Sequence, residues 1–290
     1  MPGGNLIDLR RRVKSVKNIQ QITRAMKFVS AAKLRKAQER IFSARPYANR
    51  MLAVLNSLAT RVDAAQHPLL AVRGPKKVLL VVITSDKGLC GAFNSNLIRS
   101  AVNFIHDEST SEALNLALVG RKGYEWFKRR DWPIRHQYIN IMSRVDYKYA
   151  RELGRAVTDY YSNSDLDAVF LLYNQFKSVI SQKITIEPLL PIRRLEISEE
   201  NQVFLDYIYE QPAQEIFDRL LPRHVETQIF RAMLESEASE QGARMTAMEA
   251  ATKNAAEVID SVTLHINRVR QASITTEIIE IVSGANALKE

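Results

Sequence analysis

A single cysteine, Cys90, occurs in 290 residues. That excludes an internal disulfide and any multi-cysteine zinc site. No uncharged run exceeds eleven residues, Gly88–Ile98, so no membrane-spanning helix of about 20 apolar residues is expected. The N-terminal stretch is basic but lacks the apolar core of a signal peptide, so the chain is expected to stay inside the cell or an organelle. The five histidines (His67, His106, His136, His224 and His265) stand far apart without ligand spacing and read as structural. Helix-breaking residues are also scarce where it matters. Between Asn5 and Arg45 there is neither glycine nor proline, and between Arg223 and Ser283 there is one glycine, Gly242, and no proline.

Acidic residues are nearly missing from one end. The formal net charge is +9, yet residues 1–45 hold twelve Lys/Arg against Asp8 and Glu39, a net of +10. The remaining 245 residues carry 29 basic and 30 acidic groups. A basic arm is attached to a neutral body, which excludes the uniform basicity of a packaging protein.

The two stretches poor in glycine and proline predict long helices, about 60 Å and about 90 Å at 1.5 Å per residue. Pro46 is expected to kink the first or end it, although the pattern resumes through Met51, Leu52, Leu55 and Leu58, and Gly284 is placed to stop the second. In the C-terminal stretch Met245, Met248, Thr252, Ala255, Ile259, Val262, Ile266 and Val269 repeat at alternating steps of three and four, a heptad seam. In the N-terminal stretch Leu6, Leu9, Val13, Val16, Ile19, Ile22, Met26 and Val29 form a similar stripe. The two seams are expected to pair as an antiparallel coiled coil, with two amphipathic helices lying on a globular core as the plainer alternative.

Between them, strands are expected at Val78–Thr84, Leu114–Val119, Ile134–Ile139 and Ala168–Tyr173, alternating with helices at Asn94–His106, Gly120–Arg130 and Asp146–Tyr161. Val179–Leu190, which contains Pro188, reads as an edge strand. The fold class is therefore α/β. A long antiparallel two-helix coiled coil (residues 1–60 and 211–286) carries an inserted doubly wound, mostly parallel, Rossmann-like α/β domain (residues 76–205).

The insert invites a nucleotide-site reading. Its first βα loop, Ser85–Asn94, contains glycine and precedes a helix, which could hold an anion. It lacks both the Walker and the dinucleotide-binding glycine spacings, and Cys90 has no nearby histidine to activate it. The plainer reading is a tight turn with Cys90 buried and Asn94 as N-cap. Gly120-Arg121-Lys122-Gly123 is equally open. No nucleophile, base and orienter assemble, so no catalytic residue, metal site or cofactor is expected. The basic arm admits nucleic-acid binding, but residues 1–40 contain one aromatic, Phe28, and intercalating aromatics would favour that reading. An acidic protein partner fits better. The last turns, Gln271–Leu288, are apolar on more than one side and predict a tip enclosed by another protein.

Ile19–Lys33, Ser85–Asn94, Glu237–Met245 and Asn267–Thr275 running into Glu280–Ala285 resemble the gamma subunits of F-type ATP synthases, the central rotor shafts, over nearly the whole chain. Gly242 departs from the alanine expected in that helix. A regulatory cysteine-bearing insertion and a transit peptide are not seen, which favours a bacterial protein or a processed mature form. The resemblance implies a non-catalytic rotor coupling proton-driven rotation to the catalytic subunits. Its partners would be the alpha and beta subunits, epsilon and the c-ring, on the cytoplasmic face of the bacterial inner membrane. It implies beta-subunit contacts at Met26, Lys27, Arg270, Gln271, Thr275, Glu277 and Glu280, coupling of the coiled coil at Arg244, and c-ring or epsilon contacts at Asp206, Tyr207, Tyr209 and Glu210.

Overall fold

The structure, a computed structural model, describes residues 2–59, 67–74, 76–107, 113–192 and 211–287. Helix α1 (Pro2–Ala59) is followed by β1 (Lys77–Ile83), α2 (Phe93–Asp107), β2 (Ala113–Val119), α3 (Arg121–Lys128) and β3 (Ile134–Tyr138). Then come α4 (Tyr147–Ser162), β4 (Ala168–Phe176), β5 (Gln182–Leu190) and α5 (Ala213–Ala287). Among the described residues no helix is long and apolar enough to cross a membrane. The contacts divide the chain into two compact units, Ala31–Arg244 and the two terminal stretches Met1–Ser30 with Met245–Glu290.

In the larger unit the strands lie in the order β3-β2-β1-β4-β5. Four are parallel, and β5 runs antiparallel to β4 at the edge, with Pro188 paired to Phe170. The continuous apolar run of β1 suits a strand covered on both faces. Val78 through Ile83 are buried without a break. On one face Leu79, Val81, Ile83, Val119 and Leu171 join side chains of α4, the α1 segment Leu34–Leu58 and the α5 segment Phe217–Ala238. On the other, Leu80, Val82, Leu116 and Leu118 pack with α2 and α3.

Pro46 lies inside α1, and α5 likewise runs through Pro222. A proline inside a helix costs about 3 kcal/mol. Around Pro46, Ile41, Met51, Leu55 and Leu58 are all buried, and burial of each is worth about 1.5–3 kcal/mol. Packing on both sides of the proline therefore outweighs the lost hydrogen bond. Gly284 likewise does not stop α5, which runs on to Ala287.

In the smaller unit the C-terminal seam is where the heptads put it. Met248, Ala255 and Val262 are buried, Met245, Thr252, Ile259, Ile266 and Val269 half-buried, and the same step reaches Ser273. The N-terminal seam is different from the expectation. Ile19, Ile22 and Val29 are exposed by 50%, 59% and 55%. Gln20, Thr23, Lys27 and Ser30 take the inward positions instead. A strict alternation of four and three from Leu6, Leu9, Val13 and Val16 reaches 20, 23, 27 and 30, and continued helix geometry selects that register over the more apolar one. The Thr23 and Thr252 hydroxyls meet at 2.8 Å, and Lys27 Nζ donates to Glu249 Oε1 at 2.6 Å. These contacts pair the stretches antiparallel.

Two consequences for stability are testable by urea denaturation. Gly120 has φ +93°, and a Cβ there would lie 2.2 Å from the Thr84 carbonyl oxygen. Gly120→Ala is expected to cost about 3 kcal/mol or more, and an unchanged midpoint would contradict this packing. His224 is buried. Burial, reinforced by Arg231, holds its pKa down at about 4 against 6.5. The unfolded chain therefore takes up its proton first, and stability should fall by about 3 kcal/mol as pH drops from 6.5 through 4. The comparison is wild type against His224→Gln, which should lose that share of the pH dependence.

Candidate functional site

Doubly wound sheets bind ligands at the carboxyl ends of their strands, where the strand order reverses. Here that point lies between β1 and β4, and α5 occupies it. Ser236 Oγ donates to the Ile83 carbonyl at 3.2 Å and Ser239 Oγ to the Asn174 carbonyl at 2.9 Å. Both serines are fully buried. Small side chains let the helix approach, and their hydroxyls satisfy strand-end carbonyls that would otherwise lack partners.

The neighbouring loop is consumed in the same way. Asp86 Oδ1 accepts from the Arg121 and Asn140 amides at 2.9 and 2.8 Å, and Oδ2 from the Met142 amide at 2.8 Å. One carboxylate thus ties the loops after β1, β2 and β3 together. Asn94 sits in the second position of α2, not at its N-cap, and accepts the Ser85 amide at 3.0 Å. Cys90 is buried, and burial pushes its thiol pKa up, which is wrong for a nucleophile. Gly120 and Gly123 are close-approach positions against Thr84, whose hydroxyl accepts the Gly123 amide at 2.9 Å. Each motif of the open anion-site reading therefore has a packing role. Among the described residues no group of His, Cys, Asp or Glu could hold a metal.

Arg244 is buried, and its guanidinium pairs with Glu240 at 2.6 Å and donates to the Gly88 carbonyl at 3.2 Å. Its described bonds therefore join α5 to the β1–α2 loop; side-chain bonds joining the two long helices include Arg40 to Glu237 at 3.0 Å, Lys27 to Glu249 and Thr23 to Thr252. A Cβ on Gly242 would stand 3.3 Å from the Val179 carbonyl, so this glycine fits a close approach to the β4–β5 turn.

The remaining candidates are on the smaller unit. Met26 is half-buried beside the seam, and Lys27 is engaged with Glu249. Arg270, Gln271, Thr275, Glu277 and Glu280 are exposed. Thr275 spends its hydroxyl on the Gln271 carbonyl at 2.9 Å. Among the described residues no hydrogen bond or ion pair holds the Arg270 guanidinium. In the antiparallel register Leu6 comes level with about Val269. Beyond Ser273, α5 has no partner helix among the described residues, yet Ile274, Ile278, Ile279, Ile281 and Val282 are exposed by 48–70%. Arg10, Arg11, Arg12, Lys14 and Lys17 are exposed too. The stripe Ile19, Ile22 and Val29, with Phe28 exposed by 62%, adds an outward apolar surface that sequence reasoning had placed inside. Asp206, Tyr207, Tyr209 and Glu210 lie outside the described residues.

Comparison with known proteins shows which family carries this apolar tip, basic helix flank and filled ligand crevice. The family model described as ATP synthase matches residues 5–288. The chain is 51% identical over 287 residues to the ATP synthase gamma chain of Solibacter usitatus, covering 98% of this chain and 99% of that one. It is 50% identical to that of Geobacter metallireducens, with the same coverage. Among solved structures it is similar to a chain of the central stalk and c-ring of the Tetrahymena thermophila mitochondrial ATP synthase. That match has TM-score 0.60 and 28% identity, covering 79% of this chain and 99% of that chain. A chain of the Euglena gracilis mitochondrial enzyme shares the fold at TM-score 0.68 and 21% identity, covering 99% of this chain and 95% of that one. The chain belongs to the family of ATP synthase gamma chains.

Proposed function

We propose that this protein is the central-stalk rotor of a proton-translocating F-type ATP synthase, itself without catalytic residues. It couples rotation of a c-ring to the cycling of catalytic beta subunits during ATP synthesis, and the reverse during hydrolysis. The observation that carries the reading is the unpartnered end of α5. A helix that exposes five large apolar side chains past the end of its coiled coil needs a surrounding apolar sleeve. Apolar contact is non-directional, so such a tip can turn where a mesh of hydrogen bonds would hold it.

The partners in this reading are alpha and beta subunits around the coiled coil, and epsilon and the c-ring near the membrane. The chain would be peripheral to the cytoplasmic face of a bacterial inner membrane, present once per complex. Asp206, Tyr207, Tyr209 and Glu210 would form the foot that meets the c-ring or epsilon. Met26 and Lys27 would face the acidic lever of beta. Arg270 and Gln271 would hydrogen-bond a beta loop, a role that suits an arginine with no acceptor of its own. Thr275, Glu277 and Glu280 would meet the ring at the same level.

The direct test is reconstitution with alpha, beta and epsilon subunits. Arg270→Ala with Gln271→Ala should leave helix content unchanged and lower ATP synthesis or torque about tenfold or more, since charge-assisted bonds are lost. Undiminished synthesis in the assembled complex would remove the assigned role. Neutralising Arg10, Arg11, Arg12, Lys14 and Lys17 together should weaken assembly or coupling more than it affects the fold, because these exposed charges contribute little to stability. Indifference of both would reduce the basic flank to solvated surface. Tight duplex DNA binding at physiological salt would instead favour a nucleic-acid role.

A further inference from the structure

A cleft of about 1260 Å³ opens between α1, α4 and α5, entirely within the Ala31–Arg244 unit. It is far from both the filled strand-end crevice and the shaft tip in chemistry: its lining carries six arginines (Arg40, Arg151, Arg155, Arg219, Arg223 and Arg231) against two acids, Glu226 and Glu235. The spacing explains the convergence. Arg151 and Arg155 are four apart on α4, and Arg219 and Arg223 four apart on α5, so each pair shares one helix face.

Three of these arginines are already committed. Arg40 pairs with Glu237 at 3.0 Å and Arg231 with Glu187 at 2.7 Å, while Arg155 stands 3.7 Å from Glu226. Glu226 is itself occupied by the Tyr147 hydroxyl at 2.7 Å. The other three meet no carboxylate among the described residues. Among the described residues Arg219 donates to the neutral Gln211 amide oxygen, at 3.1 Å, and the guanidinium groups of Arg151 and Arg223 have no acceptor. Six guanidinium groups against two carboxylates leave the cleft positively charged, and a bound anion relieves the repulsion among them. The guanidinium fork matches phosphate oxygens bidentately. One wall is apolar and aromatic, with Ile41, Tyr47, Leu52 and Phe230, the usual make-up of a small-molecule site.

The geometry points to a binding site in this cleft for a small molecule carrying two or more linked phosphates, held by Arg151, Arg219 and Arg223. Three guanidinium groups on two helices carry more charge than one phosphate neutralises, which favours linked phosphates. Inorganic polyphosphates and nucleotides share the recognised chemistry. They differ in whether a base lies against Tyr47, which is exposed by 55%. The site is independent of the rotor role.

The test is calorimetric titration of the full-length chain with pyrophosphate, with ATP and with inorganic phosphate, at about 150 mM salt, where surface attraction is screened. Saturable one-to-one binding of pyrophosphate or ATP is expected, weakened about tenfold or more in Arg151→Gln/Arg223→Gln. Circular dichroism should be unchanged, because both side chains are exposed. Arg129→Gln/Arg130→Gln, outside the cleft, should bind as wild type does. If Tyr47→Ala weakens ATP and leaves pyrophosphate alone, the nucleotide is the ligand; if it weakens neither, the inorganic chain is. The proposal is overturned if neither compound saturates, if the cleft variant binds as wild type does, or if inorganic phosphate binds as tightly as pyrophosphate. Tighter binding of an acidic peptide such as hexaglutamate would also overturn it and make the cleft a protein-docking groove.

Discussion

Two serine hydroxyls hold a helix in the place where this class of sheet normally keeps its ligand. Ser236 and Ser239 satisfy carbonyls at the ends of β1 and β4, and most other features of the larger unit follow from that seat. A helix this close to strand ends needs small residues along its contact line. Gly242 faces the Val179 carbonyl, and Gly154 of α4 lies against Glu226. It also carries buried charge, which is costly unless paired. Glu240 is answered by Arg244, which extends the pairing to the backbone of the β1–α2 loop. Glu237 is answered by Arg40. Burial still outweighs that attraction and holds the Glu237 carboxyl up at about 7. The strand-end crevice is thus a mounting for a helix, and the β1–α2 loop a bracket tied by Asp86.

Most of the element order was legible because strand and helix periods differ and because glycine and proline mark the turns. The runs Val78–Thr84 and Leu114–Val119 fell within a residue of β1 and β2. What local reasoning missed was decided by packing. Pro46 and Pro222 are breakers in isolation, yet helices continue through them because the faces on either side are buried. Gly284 offered a stop that α5 does not take. Asn94 had the right type for a cap, but its amide was drawn to Ser85. Asp86 looked like one acid in a glycine-containing loop; its three amide donors come from residues 35 to 56 positions away, a distance no local pattern carries.

The N-terminal seam is the most informative difference. Apolar content favours Ile19, Ile22 and Val29 as the buried stripe, but regular helix geometry favours Gln20, Thr23 and Ser30, and geometry prevails. The strict spacing from Leu6 to Val16 already contained that answer. The shaft therefore has a thin, polar contact at this level and keeps its apolar residues outside. An isolated coiled coil would gain stability from the opposite arrangement. A coiled coil built to be surrounded uses the outward isoleucines and phenylalanine as its contact with the surroundings.

The exposed basic flank of α1 has a consequence for time rather than for energy. Basic charges spread along one helix, outnumbering the acids beside them, extend a field beyond the surface at low ionic strength. In the proposed assembly such a field would capture an acidic partner before any apolar contact forms, and turn it so that its acidic side arrives first. The apolar residues then set how long the partner stays. Division of labour between capture and retention lets an aggregation-prone surface be covered soon after it is made, because the slow, unselective search by greasy contact is replaced by a guided one.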